Sequence, residues 1–182
     1  MKTLMCIAAV VSLFGFASDW YENTRQLSVV VDGSDEALTE RDGRLWRGHE
    51  RFTGTVRWTY PDGTPQRTTV YVEGRRHGDD LTWYDDGTPR SVRRYDDGEK
   101  TGQHAGWWAD GTPQFRFQFE ADQHVGDNYR WYANGVMSEH LVYAHGVEAG
   151  RQQTWWEDGR VRANYVVKDG RRFGLMGPKG CG

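Results

Sequence analysis

The chain of 182 residues repeats a turn signal every 24 residues. Asx-Gly pairs fall at Asp62-Gly63, Asp86-Gly87, Asp110-Gly111, Asn134-Gly135 and Asp158-Gly159. A second glycine recurs on the same spacing at Gly74, Gly98, Gly146 and Gly170, with Asp122 in the missing place. A third stands at Gly78, Gly102, Gly126, Gly150 and Gly174. Three turn columns in register over five copies restrict the chain to short elements of fixed length, and internal repetition of this kind means an array of one supersecondary unit.

The unit is a β-hairpin. Asx-Gly favours a type I′ turn with positive φ at both central residues, and the flanks alternate at period two. Gln114-Phe115-Arg116-Phe117-Gln118-Phe119-Glu120 puts its phenylalanines on one face and polar residues on the other. The second turn of each unit falls around Glu73-Gly74, Asp97-Gly98, His145-Gly146 and Asp169-Gly170. Thr64-Pro65, Thr88-Pro89 and Thr112-Pro113 place proline at the first strand position beside a turn, where its missing N–H is tolerated. No helical period appears in residues 42–174. The expected fold is all-β: an elongated, twisted antiparallel meander of hairpins in an open single-layer sheet. A partial copy, Asp42-Gly43-Arg44-Leu45-Trp46 to Gly54, precedes the array. Leu27-Ser28-Val29-Val30-Val31 reads as a strand ending at Asp32-Gly33, followed through Glu40 by an acidic loop, so residues 18–41 form a cap.

Composition agrees. There are 9 Trp, 9 Tyr and 23 Gly, and mean hydropathy is −0.83. Aromatic side chains carry the apolar load that Leu, Ile and Val carry in a conventional core. Lys2, the apolar run Leu4 to Phe16 and the small residues of Gly15-Phe16-Ala17 read as a secretory signal peptide over residues 1–17, too short to span a membrane. The expected location is therefore outside the cytoplasm, periplasmic or secreted. Of the two cysteines, Cys6 leaves with the signal. Cys181 remains without an internal partner, as a reactive thiol or an inert tail residue. The formal charge of −3 becomes −4 when Lys2 is removed (−3 − 1). That balance argues against nucleic acid or an anionic membrane as main partner.

The pattern aromatic–aromatic–x–Asx–Gly, with further glycines 11 and 15 residues on, resembles the MORN-type repeat in its bacterial variant. The opening Asp42-Gly43-Arg44-Leu45-Trp46…Arg51-Phe52-Thr53-Gly54 and the closing Arg172-Phe173-Gly174-Leu175-Met176-Gly177 with Cys181 are similar to the ends of such arrays. The resemblance covers residues 42–181 and implies the YwqK-like antitoxin family of toxin–antitoxin systems, hence a protein partner neutralised by binding. It brings no catalytic motif and no cofactor.

Two aromatic columns compete as the contact surface. With a two-residue turn, Tyr84, Trp108, Tyr132 and Trp156 share a face with Phe115, Phe117, Phe119, Tyr95, Leu141, Tyr143, Tyr165 and Val167. The other face carries Trp83, Trp107, Trp131 and Trp155 among Arg90, Arg94, Arg116 and Arg162. Trp and Arg are enriched at binding hot spots, so this second face is the candidate binding surface, for a protein segment or, alternatively, a cell-wall glycan. Cross-strand packing explains aromatics on both faces equally well, and a three-residue turn would exchange the faces. Membrane-surface association is a third reading. The six histidines (His49, His77, His104, His124, His140, His145) follow no column of the lattice. Most aspartates lie in turns, and no nucleophile, phosphate loop or metal-ligand spacing is present, so the chain is expected to be non-enzymatic, without metal or cofactor.

Overall fold

The computed structural model describes residues 29–177. Residues 1–17, expected to be a signal peptide, and Leu27, Ser28 and Cys181 lie outside the described residues. Within them the chain is all-β, with no helix. A small sheet joins β2 (Leu38–Arg41), β3 (Arg44–Arg47) and β4 (Glu50–Arg51). The long sheet has 14 strands and begins with β1 (Val30–Asp32) beside β5 (Gly54–Thr59). It continues in chain order through β6 (Pro65–Val72), β7 (Arg75–Trp83), β8 (Pro89–Asp96) and β9–β10 (Glu99–Lys100, Gly102–Trp107). Next come β11 (Pro113–Glu120) and β12–β13 (Gln123–His124, Gly126–Trp131), then β14 (Met137–Ala144), β15 (Val147–Trp155), β16 (Val161–Lys168) and β17 (Arg171–Leu175).

From β5 onward the sheet is the expected antiparallel meander. Its first edge differs, because β1 runs parallel to β5 and makes the sheet mixed there. The acidic stretch before Glu40 is also more ordered than a loop. Asp42 and Gly43, both at positive φ, turn β2 back on β3. Leu38 and Leu45 then pack with Trp58 and Tyr71 on the buried cluster Val31, Phe52 and Val56.

The Asx-Gly turns are not type I′. Only the glycines take positive φ there, between 81° and 86°. The Gly63 N–H donates to the Tyr60 carbonyl (2.9 Å) and the Tyr60 N–H to the Thr64 carbonyl (2.8 Å). This is a three-residue loop, a type I turn closed by a left-handed glycine. The aspartate holds it, since Asp62 Oδ1 accepts the Thr64 N–H (2.9 Å) and hydroxyl (2.7 Å). Type I′ geometry belongs to the second turn. Both central residues have positive φ at Glu73-Gly74, Asp97-Gly98, Ala121-Asp122, His145-Gly146 and Asp169-Gly170.

A three-residue loop should exchange the faces, yet it does not. Beyond each loop the register skips one residue: Gln66, Arg90, Gln114, Ser138 and Arg162 in turn. The bulge adds a second unit shift and restores the original parity. Phe115, Phe117 and Phe119 therefore oppose Gly106, His104 and Gly102, on what we term the inner face. Tyr95 opposes Gly78 there, Leu141 opposes Asn128 and Tyr165 opposes Gln152.

Two contacts join successive copies. The Tyr60 hydroxyl donates to the Trp83 carbonyl (2.9 Å), Tyr84 to Trp107 (2.9 Å) and Tyr132 to Trp155 (3.0 Å). Trp108 replaces tyrosine in this column, and its indole N–H is buried without a partner. The second contact is a buried column at 24-residue spacing, Val56, Asp80, His104, Asn128 and Gln152, each at most 3% exposed. His104 Nε2 bonds the Arg94 carbonyl (2.8 Å), Asn128 Oδ1 accepts the Gln118 N–H (3.2 Å), and Gln152 bonds both the N–H and the carbonyl of Val142 (3.1 and 2.8 Å). Arg94, Gln118 and Val142 are themselves 24 residues apart, where pairing between copies lapses. The buried side chain occupies the gap and satisfies the backbone. Asp80 instead meets Arg67 through both carboxylate oxygens (3.0 and 2.6 Å).

Tyr84→Phe and Tyr132→Phe should each lower the unfolding free energy by about 1 kcal/mol and add in the double variant, as read by urea denaturation; unchanged midpoints would show that the hydroxyls do not join the copies. The turn aspartates set a second expectation. The Thr88 and Thr112 hydroxyls, then their N–H groups, hold the Asp86 and Asp110 carboxyls below the ordinary aspartate value. Asp62 and Asp158 are lowered first by the backbone N–H of Thr64 and Arg160. Carboxyls depressed in the folded chain stabilise it above the unfolded value and lose that contribution as pH falls through the folded values. Asn134 makes the same turn without titrating, so Asp86→Asn with Asp110→Asn should flatten the loss of stability below about pH 4, measured as thermal midpoint against pH.

Candidate functional site: an aromatic and cationic cleft

The eight residues of the candidate Trp face occupy three kinds of position: strand ends, bulges and strand interiors. Trp83, Trp107, Trp131 and Trp155 each end a strand at the register shift and are half-buried. Arg90 and Arg162 are bulge residues, and their guanidinium groups lie over Tyr84 (5.6 Å) and Trp156 (4.7 Å). Arg94 pairs with Asp79 (3.0 Å). A continuous stack joins two of the eight, Arg116 and Trp131, through Tyr129. Arg116 lies over Tyr129 (4.6 Å), and Tyr129 stacks on Trp131 (5.8 Å, 22°) and on His140 (4.6 Å, 16°). The glycines Gly63, Gly87, Gly111, Gly135 and Gly159 hold turns.

The inner face carries a cleft of about 590 Å³ in the middle of the array. Its floor is built by Gly106 and Phe115. A Cβ at position 106 would collide with the Phe115 ring, so glycine lets that ring lie across β10. Phe115 stacks on Phe117 (4.9 Å, 21°), and Phe117 meets Phe119 edge-on (6.4 Å, 83°). His124 packs between Phe119 (4.2 Å) and Tyr143 (5.1 Å). Cations rim these rings: Arg93 over Phe115 (6.0 Å), Lys100 over Phe119 (5.3 Å) and Arg130 over Phe117 (4.7 Å). Trp108 and Trp131 line the turn end. Among the described residues no carboxylate lines the cleft.

His104 lies at the base, 2% exposed, between Tyr95 (5.8 Å) and Phe119 (4.6 Å). Burial holds it below the ordinary histidine value, and the positive charges of Arg93 and Lys100 add to this against the pull of the Arg94 carbonyl. His104 and His124 were read from the sequence as standing outside the lattice. Each in fact occupies an inner-face column whose members differ in chemistry. His104 shares its column with Val56, Asp80, Asn128 and Gln152, and His124 shares one with Phe52, Arg76, Lys100, Glu148 and Arg172. A search for recurring identity passes over such columns; a search for recurring position finds them.

The arrangement offers the elements of a binding surface. Rings offer an apolar seat, cations offer fixed charge, and the open side of the sheet admits an extended chain. No family model matches this protein, and no curated protein matches it.

His104 gives the pH dependence a sign. Below about pH 6.5 the unfolded chain takes up a proton that folded His104 resists, so stability falls as pH drops through that value. His104→Gln, using the residue the column carries at Gln152, should remove this part of the pH slope between about pH 7 and 5. Urea midpoints across that range measure it, and an unaltered slope would locate the dependence elsewhere.

Proposed function

We propose that this chain is an exported, non-catalytic repeat scaffold of MORN type that binds a protein partner, in an antitoxin- or immunity-like role, and that the inner-face cleft is its contact site. The observation that carries this reading is the convergence of Phe115, Phe117 and Phe119 with Arg93, Lys100 and Arg130 in one open cleft. Aromatic anchors rimmed by charge are the usual anatomy of a binding hot spot. The N-terminal apolar run supports export, and the 24-residue lattice supports the repeat type. An open sheet suits a protein segment better than a free metabolite, since small-ligand sites enclose most of their ligand's surface.

A second reading has its own support. The outer stack of Arg116, Tyr129, Trp131 and His140 would suit the face of a sugar ring in a cell-wall glycan. Because Trp131 also lines the cleft, Arg116→Ala with Tyr129→Ala is the cleaner probe of that outer stack.

The test is a pull-down from the native host with mass spectrometry of what is retained. One stoichiometric protein, lost on Phe117→Ala and kept on Arg116→Ala with Tyr129→Ala, is the expected result. Circular dichroism of each variant separates lost binding from lost fold. Sedimentation with purified peptidoglycan that depends on Arg116 and Tyr129 would replace the protein-partner reading with the glycan one.

A further inference from the structure

The inner face carries a charge surplus that the chain as a whole does not. Its carboxylates are Asp80, Glu139 and Glu148, and each meets a cation of the same face. Asp80 pairs with Arg67 (2.6 Å), Glu139 with Arg130 (3.1 Å) and Glu148 with Arg172 (2.9 Å). Arg76, Arg93 and Lys100 remain. Among the described residues none of these three has an ion-pair partner. They are held against rings instead, Arg76 and Lys100 over Tyr95 and Phe119 (5.3 Å each) and Arg93 over Phe115 (6.0 Å). Asp80 stands opposite Arg93 in register, but both its oxygens go to Arg67. Three unneutralised cations thus gather on one face of a chain whose formal charge is −3.

The surplus is also short. Along the column that holds Arg76 and Lys100, the next members are His124 and then Glu148. A nucleic-acid strand needs a positive track along its whole backbone, and this track ends beside a carboxylate. A ligand with two or three negative charges next to one apolar group matches both its extent and the adjoining phenylalanines.

Resting on the protein-binding reading above, we propose that the cleft recognises an acidic segment of its protein partner, with an apolar side chain seated on Phe115 and Phe117 and flanking carboxylates placed at Arg93 and Lys100. Charge of this kind raises the association rate and selects the partner, and its effect falls with salt.

The probe is the peptide Glu-Glu-Leu-Glu-Glu, capped at both ends, titrated into the isotope-labelled protein and followed by backbone amide shifts. Glu-Glu-Leu-Glu-Glu should shift the amides of Gly106, Phe117 and His104 saturably. The Gln-Gln-Leu-Gln-Gln and Glu-Glu-Ser-Glu-Glu peptides should bind at least about tenfold more weakly, because each lacks one of the two required groups. Arg93→Gln with Lys100→Gln should weaken the acidic peptide by a similar factor, whereas Arg116→Gln on the outer face should not. Both changes are at side chains rimming the cleft, and the dispersion of the amide spectrum reports whether the fold is kept; each single variant, expected to lose about half the effect on a logarithmic scale, serves if the double variant unfolds. Equal binding of the Glu and Gln peptides, no saturable shifts, or stronger occupation of the same amides by an oligothymidine would each overturn the inference. A host protein retained equally by wild type and by the double variant would overturn it too, while leaving the scaffold reading intact. Peptide binding that depends on Arg93 and Lys100, with no host protein retained, would support the inference and count against the scaffold reading.

Discussion

A single-layer sheet has no second layer to close over it, so its strands are held by the ladder between them and by whatever replaces the ladder where it lapses. Here it lapses between copies at Arg94, Gln118 and Val142. The side chains of His104, Asn128 and Gln152 satisfy the exposed backbone there. A buried amide that bonds two backbone groups at once is worth keeping, because an orphaned backbone donor or carbonyl in the same place costs about 1–3 kcal/mol. These buried polar groups therefore stand where an ordinary protein would bury leucine. One apolar cluster of buried residues lies at the N-terminal end, around Val31, Phe52 and Val56, and aromatic rings about Tyr95 and Phe119 are buried in mid-array. Elsewhere the tyrosine hydroxyls and the buried amides carry the join from one copy to the next.

The fold was legible in the sequence because glycine and Asx positions report backbone geometry directly. Gly74 and Gly98 mark turns whose two central residues need positive φ, and Pro65, Pro89 and Pro113 mark strand starts. Turn type was assigned to the wrong column for a local reason. Asp-Gly suits a type I′ turn, but here the Asx side chain accepts the backbone N–H two places on, at Thr64 and Thr88 as at Val136, and this bond goes with the three-residue loop. The paired strand positions keep the expected faces, because loop and bulge shift the register twice, but the bulge residues do not: Arg90 and Arg162 lie over Tyr84 and Trp156, and Gln114 and Ser138 line the cleft. Cap strand β2 was hidden by its polar sequence, Leu-Thr-Glu-Arg, which shows little alternation.

The site was less legible than the fold. Tryptophan draws attention as a binding residue, yet Trp83, Trp107 and Trp155 lie beside turns with their carbonyls bound to tyrosine. The residues that shape the cleft are less conspicuous in sequence. Gly106 matters only because the Phe115 ring crosses it, and nothing in the alternation of β10 announces that. Arg93 and Lys100 look like ordinary surface cations until the partners of every inner-face carboxylate are counted. Charge balance on one face depends on register, and register here depends on an irregularity that no composition reveals.

The paired irregularities also bear on how such an array can change over generations. Each copy carries its own loop and its own bulge, so the parity of inside and outside is the same where a copy ends as where it began. A copy is then a unit that recombination can duplicate, delete or replace without turning its neighbours over. A lone one-residue deletion inside a copy has no such tolerance, since it would present Phe115, Phe117 and Phe119 to the opposite side. Variation in a lineage built this way is channelled into whole 24-residue steps and into substitutions at inner-face positions. Asp80, His104, Asn128 and Gln152 already show how freely one such position can diverge while its neighbours keep their places.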